Sequence, residues 1–238
     1  MDDDDLMQKH LRPTATRPLL GLTILVVEDS RFACDAMRLL CLRSGARIRR
    51  ADCLKSARRH LQVYRPSVVI IDLGLPDGSG AELISELSVA CPRVEVILGI
   101  SGDSFAEEVA LAAGADGFLP KPISSVVGFQ NAIISALPIE RQPNGPRLVS
   151  DDPVLPDPLA YRDDMAHAAD VLDDREDDRS LAYITQFITG VARSAGDGIL
   201  QQAAEELAEA RQSGRPLQSN LAKVAALVQD RMTDRIAM

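Results

Sequence analysis

Short runs of β-branched and aliphatic residues, each followed at once by a polar residue, recur along the first half of this chain. The most constraining is Val68–Ile71, which has no polar interruption and breaks into a loop that begins at Asp72. Such a run is typical of a strand buried on both faces of a parallel sheet. A carboxylate that follows this strand lies at the edge where open α/β sheets bind their ligands.

Three other runs also lead into polar side chains. Glu28 and Asp29 follow Leu22–Val27, Ser101 follows Val94–Ile100, and Lys121 follows Gly117–Leu119 after Pro120. Because parallel strands present their carboxyl ends at one edge, we expect three carboxylates, a hydroxyl and an ammonium to converge there. Carboxylates gathered in this way repel one another unless they share a cation, and oxygen ligands suit Mg²⁺.

Strand-like runs alternate with segments of helical periodicity between residues 20 and 138. This alternation predicts an α/β fold, a doubly wound sheet of five parallel strands joined by right-handed crossovers. These residues closely resemble the receiver domain of bacterial two-component response regulators. The resemblance covers about residues 20–138 and implies a flavodoxin-like fold.

The resemblance also implies a role for each polar position. Asp72 corresponds to the phosphoacceptor, and Glu28, Asp29, Asp72 and the backbone carbonyl of Gly74 correspond to the Mg²⁺ ligands. Lys121 and Ser101 correspond to the groups that contact the phosphoryl oxygens, and Ser101 and Phe118 to the switch pair. The implied partner is a sensor histidine kinase or a phosphotransfer protein within a phosphorelay. The chain would then be a phosphoacceptor with slow self-dephosphorylation rather than an enzyme with its own output reaction.

The rest of the chain divides by composition. Residues 1–19 are polar and predict a flexible arm, and six prolines mark residues 139–158 and their border as a semi-stiff linker. Four apolar stripes at helical spacing follow in residues 159–238 and predict an all-α helical bundle. The alternative is a pair of helical hairpins that complete their core only as a homodimer.

One part of the predicted bundle weakly resembles the histidine-containing phosphotransfer domain. Gly190 and Gly196 have the spacing of that family's glycines, but Gln186 stands where its histidine would be. The helical stripe places Gln186 and Gly190 together on the outer face, one turn apart. The segment is therefore either a phosphotransfer-like domain that has lost its nucleophile or an unrelated interaction or dimerisation domain. His167 lies beside the stripe and is interpreted as a surface histidine.

Charge limits the partners of this second half. Residues 20–138 hold 12 basic and 13 acidic residues, whereas residues 151–238 hold 9 basic and 17 acidic, within a net charge of −9 for the whole chain. A DNA-binding output domain needs an excess of Lys and Arg, so no DNA partner is expected. We expect a protein-interaction output, with an RNA-binding antiterminator as the alternative.

The cellular location of the protein is predicted from segments that the sequence lacks. No apolar run approaches the roughly 20 residues that span a bilayer, and the acidic start Met1–Asp5 differs from a basic signal peptide. The four cysteines form no C-x-x-C pair. These features predict a cytoplasmic protein with no membrane partner.

Overall fold

The structure is a computed structural model that describes residues 12–103, 105–143, 145–148, 153–174 and 178–233. The chain divides into two units. The N-terminal unit comprises the described residues up to Asp29 together with Ala36–Leu155, and the helical unit comprises Ser30–Asp35 and the chain from Pro156 onward. Most of the predicted arm, part of the predicted linker and the last five residues lie outside the described residues.

Five parallel strands form the sheet of the N-terminal unit: β1 (Thr23–Val27), β2 (Arg47–Ala51), β3 (Val68–Asp72), β6 (Val96–Ser101) and β7 (Gly117–Pro120). Their order is β2-β1-β3-β6-β7, so β1 and β3 are neighbours near the middle. Two short strands, β4 (Gly74–Leu75) and β5 (Gly78–Ser79), form a separate antiparallel ribbon directly after β3. The predicted five-stranded, flavodoxin-like sheet is confirmed.

Helices flank this sheet: α1 (Arg31–Ser44), α2 (Leu54–Val63), α3 (Gly80–Ser88), α4 (Ala106–Ala112) and α5 (Val126–Ala136), with a 3-10 turn at Ile139–Arg141. Successive residues of a strand face opposite sides of the sheet. Accordingly, Ile24 and Val26 belong to one apolar core, and Leu25 and Val27 belong to the other. Both faces are covered, which explains why the strand sequences are almost uninterrupted apolar runs.

The core of the N-terminal unit extends beyond the predicted strands and helices. Leu19, the last residue of the predicted arm, is fully buried, and its amide donates to the carbonyl of Ser44 at 2.9 Å. Val154, within the predicted linker, is also buried in this core. Leu19 and Val154 each begin an apolar pair that follows a proline, which is too short to show a periodicity, so sequence patterns cannot assign them to a core.

The helical unit contains four helices among its described residues: α6 (Pro158–Asp173), α7 (Asp178–Ala195), α8 (Gly198–Gln212) and α9 (Gln218–Thr233). Each packs against the next in sequence, and α9 packs back against α6, around a common apolar core. The predicted C-terminal helical region is confirmed. Within the described residues, no helix combines the length and the apolar character needed to cross a membrane.

The segment Ser30–Asp35 is part of the helical unit because of one buried carboxylate. Asp164 of α6 accepts hydrogen bonds from the Ser30 hydroxyl at 2.7 Å and from the amides of Arg31 and Phe32 at 2.7 and 3.1 Å. The Phe32 ring also meets the ring of Tyr161 edge to face, with centroids 5.9 Å apart. Asp164 therefore provides acceptors for the first amides of α1, which is a capping role.

Candidate metal centre at the carboxyl edge of the sheet

Three carboxylates meet where β1 and β3 end. Each of Glu28, Asp29 and Asp72 offers an oxygen, and these oxygens lie within 4.8 Å of one another. The neighbouring strands β1 and β3 bring them together, because Val27 pairs with Ile71 in the register. Glu28 and Asp72 are only 2% and 6% exposed, so solvent does little to screen their mutual repulsion.

Lys121 neutralises part of this charge. Its Nζ lies 2.7 Å from Glu28 Oε2 and 2.7 Å from Asp72 Oδ2, and its side chain is 9% exposed. Lys121 directly follows β7, and its amide donates to the carbonyl of Ser101 at the end of β6. The flexible four-carbon stem then carries the ammonium past β6 to β3 and β1, which a shorter cation could not do.

Burial shifts the ionisation of both buried partners. It raises the pKa of Glu28 well above its ordinary value; Lys121 opposes that rise, and the carboxylates of Asp72 and Asp29 add to it. Burial alone lowers the pKa of Lys121, but the carboxylates of Asp72 and Glu28 outweigh burial and raise it. Lys121 therefore stays protonated, while the crowded carboxylates still favour a further positive charge among them.

This donor set fits a magnesium ion. The cluster offers hard carboxylate oxygens from two adjacent strand ends, with the Lys121 ammonium between Glu28 and Asp72. Mg²⁺ is bound in proteins by a few carboxylates together with water or phosphate oxygens. Glu28, Asp29 and Asp72 are the residues that would hold it.

The loop after Asp72 turns back tightly on the carboxylate. The amide of Gly74 donates to Asp72 Oδ1 at 3.3 Å, and the amide of Gly80 donates to the carbonyl of Leu73 at 3.1 Å. A Cβ at Gly80 would overlap the carbonyl oxygen of Asp72, so the start of α3 requires glycine here. Gly74, whose carbonyl is the predicted backbone ligand, thus lies beside Asp72.

Ser101 and Phe118 lie on the neighbouring strands β6 and β7. Ser101 ends β6 and is buried, and its Oγ accepts from the amide of Asp103 at 3.2 Å. Phe118 pairs in register with Gly99 and is half-buried against one of the two cores. A Cβ at Gly99 would lie 3.2 Å from the Phe118 ring, so the absence of a side chain there leaves room for the ring.

Gln186 and Gly190, two of the positions singled out in the helical unit, share a face of α7. Gln186 is exposed, and a Cβ at Gly190 would meet nothing within 4 Å. His167 on α6 is also exposed; its Nε2 lies 3.1 Å from the Tyr183 hydroxyl, and its ring meets Phe187 edge to face.

Residues 24–131 match the family model described as response regulator receiver domain. The chain is similar to the KDP operon transcriptional regulatory protein KdpE of Escherichia coli (strain K12), with 32% identity over 99 residues, covering 42% of this chain and 44% of that protein. It is also similar to the transcriptional regulatory protein PhoP of the same strain, with 29% identity over 102 residues, covering 42% of this chain and 46% of that protein.

Among solved structures, the chemotaxis response regulator CheY4 of Vibrio cholerae has 21% identity and a TM-score of 0.44, covering 49% of this chain and 98% of that chain. The chain spans less than half the length of the two curated relatives, so the transcriptional regulation in their names is said of those proteins and is not carried over to this chain. The family match covers residues 24–131, which is under half of the chain. The family match ends before the helices α6 to α9, and the resemblance to a phosphotransfer domain is not confirmed.

Two carboxylates that accept hydrogen bonds from the first amides of distant helices were not singled out from the sequence. Asp164 accepts hydrogen bonds from residues more than 130 positions away, and no local pattern indicates such a contact. Asp77 accepts from the amides of Leu54 and Lys55 at the start of α2. One signal existed for Asp77, because α2 begins after Cys53 and not after one of the usual Ser, Thr, Asp or Asn caps.

Proposed function

We propose that this chain is a response regulator whose Asp72 accepts a phosphoryl group in a Mg²⁺-dependent reaction. The observation that carries the proposal is the buried contact of Lys121 with both Glu28 and Asp72, inside a cluster of three carboxylates. Such a cluster is costly for folding alone, because buried like charges repel. A site that receives a divalent cation and a phosphoryl group has a use for this arrangement.

In the proposed reaction, an oxygen of Asp72 forms a bond to phosphorus while the bond from phosphorus to the donor breaks. The donor is a phosphohistidine of a sensor kinase or phosphotransfer protein. Bound Mg²⁺, held by Glu28, Asp29, Asp72 and the Gly74 carbonyl, would supply charge neutralisation of the phosphoryl oxygens. Lys121 shifts its contact from the carboxylate of Asp72 to a phosphoryl oxygen.

Ser101 and Phe118 make the site a switch. In the proposed phosphorylated state, the Ser101 hydroxyl turns to donate to another phosphoryl oxygen, and Phe118 moves into the space that this leaves. A two-state element of this kind changes population when phosphate contacts favour one state by about 5 kcal/mol. Phosphate on Asp72 is lost again by slow self-hydrolysis, and no separate output reaction is proposed.

The proposed output is a protein contact made by the helical unit, either with another protein or with a second copy. The acidic balance of residues 151–238, 9 basic against 17 acidic, supports a protein partner over a nucleic acid. The two relatives named as transcriptional regulators match over less than half of their length, so the expectation of no DNA partner stays a prediction. Titration of the full chain with duplex DNA and with RNA tests it.

The test of phosphoryl acceptance is intact mass measurement after incubation with acetyl phosphate. We expect one phosphate adduct with Mg²⁺, and none with EDTA or in Asp72→Asn. Asp52→Asn, a change at an exposed aspartate of the same unit, is the matched control and should behave as wild type. An adduct that persists in Asp72→Asn would overturn the assignment.

The test of the switch uses beryllofluoride, a phosphoryl mimic, on the full chain. The mimic should change the hydrodynamic radius or the dimer fraction, and Ser101→Ala should weaken that change while Asp72 still takes phosphate. Identical scattering profiles with and without the mimic would mean that the helical unit is a constitutive interaction module.

A further inference from the structure

The helix α2 lacks a strong cap of its own. Its N-cap residue is Cys53, whose Sγ accepts from the amide of Ser56 at 3.4 Å. A thiol is a weak acceptor, whereas the first amides of a helix have no acceptor within the helix. The carboxylate of Asp77 supplies what is missing, with Oδ1 2.8 Å from the amide of Leu54 and Oδ2 2.9 Å from the amide of Lys55.

Asp77 lies at the tip of the ribbon that leaves the phosphoacceptor. Gly74 pairs with Ser79 and Leu75 pairs with Gly78, so Pro76 and Asp77 form the turn between β4 and β5. The base of the ribbon is held at the sheet, because the amide of Leu73 donates to the carbonyl of Ile100 at 3.2 Å. The ribbon is therefore attached at both ends, at its base to β6 and at its tip to α2.

Gly78 lets the tip of the ribbon pack closely against α2. Its φ of +154° falls in the region that favours glycine, and a Cβ there would lie 2.8 Å from Leu54 Cδ1. Leu54 is buried, so the ribbon packs directly on the first turn of α2. Asp77 and Gly78 thus fix the tip by two independent means, hydrogen bonds to the amides and contact with the Leu54 side chain.

We propose that Asp77 is a positioning residue of the phosphoacceptor site, an inference that rests on the proposed function. By anchoring the ribbon to α2, Asp77 holds Gly74, the proposed backbone ligand, in the place where its amide meets Asp72 Oδ1. The helix start and the metal site are therefore linked through a single carboxylate. Loss of Asp77 should loosen the ribbon even where α2 remains folded.

The test separates anchoring from capping. Asp77→Ala removes both, whereas the double variant Asp77→Ala/Cys53→Ser gives α2 a good cap of its own without restoring the anchor. Asp157→Ala is the matched control, since Asp157 caps α6 through the amide of Leu159 at 2.9 Å. All variants are made in the full chain, and Mg²⁺ affinity is measured by calorimetry alongside the thermal midpoint and the hydrogen exchange of the Gly74 amide.

We expect Asp77→Ala to weaken Mg²⁺ binding about 10-fold, the lower end of the loss seen when groups that orient metal ligands are removed. Exchange of the Gly74 amide should become faster. The added Cys53→Ser should recover the thermal midpoint but not the Mg²⁺ affinity or the protection of Gly74. Asp157→Ala should lower the midpoint and leave both other quantities unchanged.

Two results would overturn the inference while leaving the proposed function intact. One is wild-type Mg²⁺ affinity and Gly74 protection in Asp77→Ala, and the other is recovery of both by Cys53→Ser, which would make Asp77 only a helix cap. A wild-type chain that takes neither Mg²⁺ nor phosphate would instead refute the proposed function, and the inference with it.

Discussion

Each unit of this chain buries carboxylates, and their surroundings differ. In the N-terminal unit Glu28 and Asp72 crowd one another and share the ammonium of Lys121. In the helical unit Asp164 is equally buried, but a hydroxyl and two amides donate to it. Burial alone therefore does not mark a site of chemistry. A carboxylate that accepts hydrogen bonds from its neighbours supports the structure, whereas crowded carboxylates that share a cation could hold a metal ion.

The largest expected effect is at Lys121. Lys121→Met removes the charge that offsets Glu28 and Asp72, and breaking a buried pair of this kind costs about 4 kcal/mol of unfolding free energy. We expect that loss in EDTA, and substantial recovery in millimolar Mg²⁺, because the ion replaces the missing positive charge. Urea unfolding under both conditions measures it, with the exposed Lys55→Met as control. Equal losses with and without Mg²⁺ would argue against a metal site.

In the helical unit, the loss of unfolding free energy caused by the corresponding change should be the same with and without Mg²⁺. Asp164→Ala removes the acceptor of three hydrogen bonds and should cost about 3 kcal/mol. The adjacent Asp163 pairs with Arg31 at the surface, where the side chains are 53% and 69% exposed, so Asp163→Ala should cost less than about 0.5 kcal/mol. Urea unfolding of both variants measures the difference, and similar costs would show that the buried contact is not structural.

Two glycines extend the comparison to the backbone. Gly80→Ala places a Cβ against the carbonyl of Asp72 and should cost about 2 kcal/mol, whereas the Cβ of Gly190→Ala enters open space. Alanine suits a helix interior better than glycine, so Gly190→Ala should stabilise by about 0.5 kcal/mol. Thermal unfolding checks both. A destabilising Gly190→Ala would mean that the exposed face of α7 is covered in the folded protein.

The sheet and its site could be predicted because the strand topology determines where the site residues lie. Once Val68–Ile71 and its counterparts are parallel strands, the residues that follow them must share one edge, and Glu28, Asp72 and Lys121 meet there. The contacts of Asp77 and Asp164 could not be predicted, since each joins a side chain to backbone amides of a distant helix. Backbone amides carry no sequence signal, and only the weak cap at Cys53 hinted at a missing acceptor.

The helices of the helical unit could be predicted from the sequence, but the function of the unit could not. Apolar stripes place residues such as Ile184 and Ile188 in the core. The outer face with Gln186 and Gly190 is unconstrained by packing, and many sequences would fold equally well. The residues of this outer face therefore do not reveal its function through folding constraints.

The central claim is that phosphoryl chemistry resides in the N-terminal unit and that the helical unit carries none. The most direct test is to label the full chain with radioactive acetyl phosphate or a phosphorylated kinase, in Mg²⁺, and to determine the chemical stability of the label in wild type, Asp72→Asn and His167→Ala. We expect one label that hydroxylamine removes, as an acyl phosphate should, present in wild type and His167→Ala and absent from Asp72→Asn. An acid-labile label that persists in Asp72→Asn and disappears in His167→Ala would contradict it.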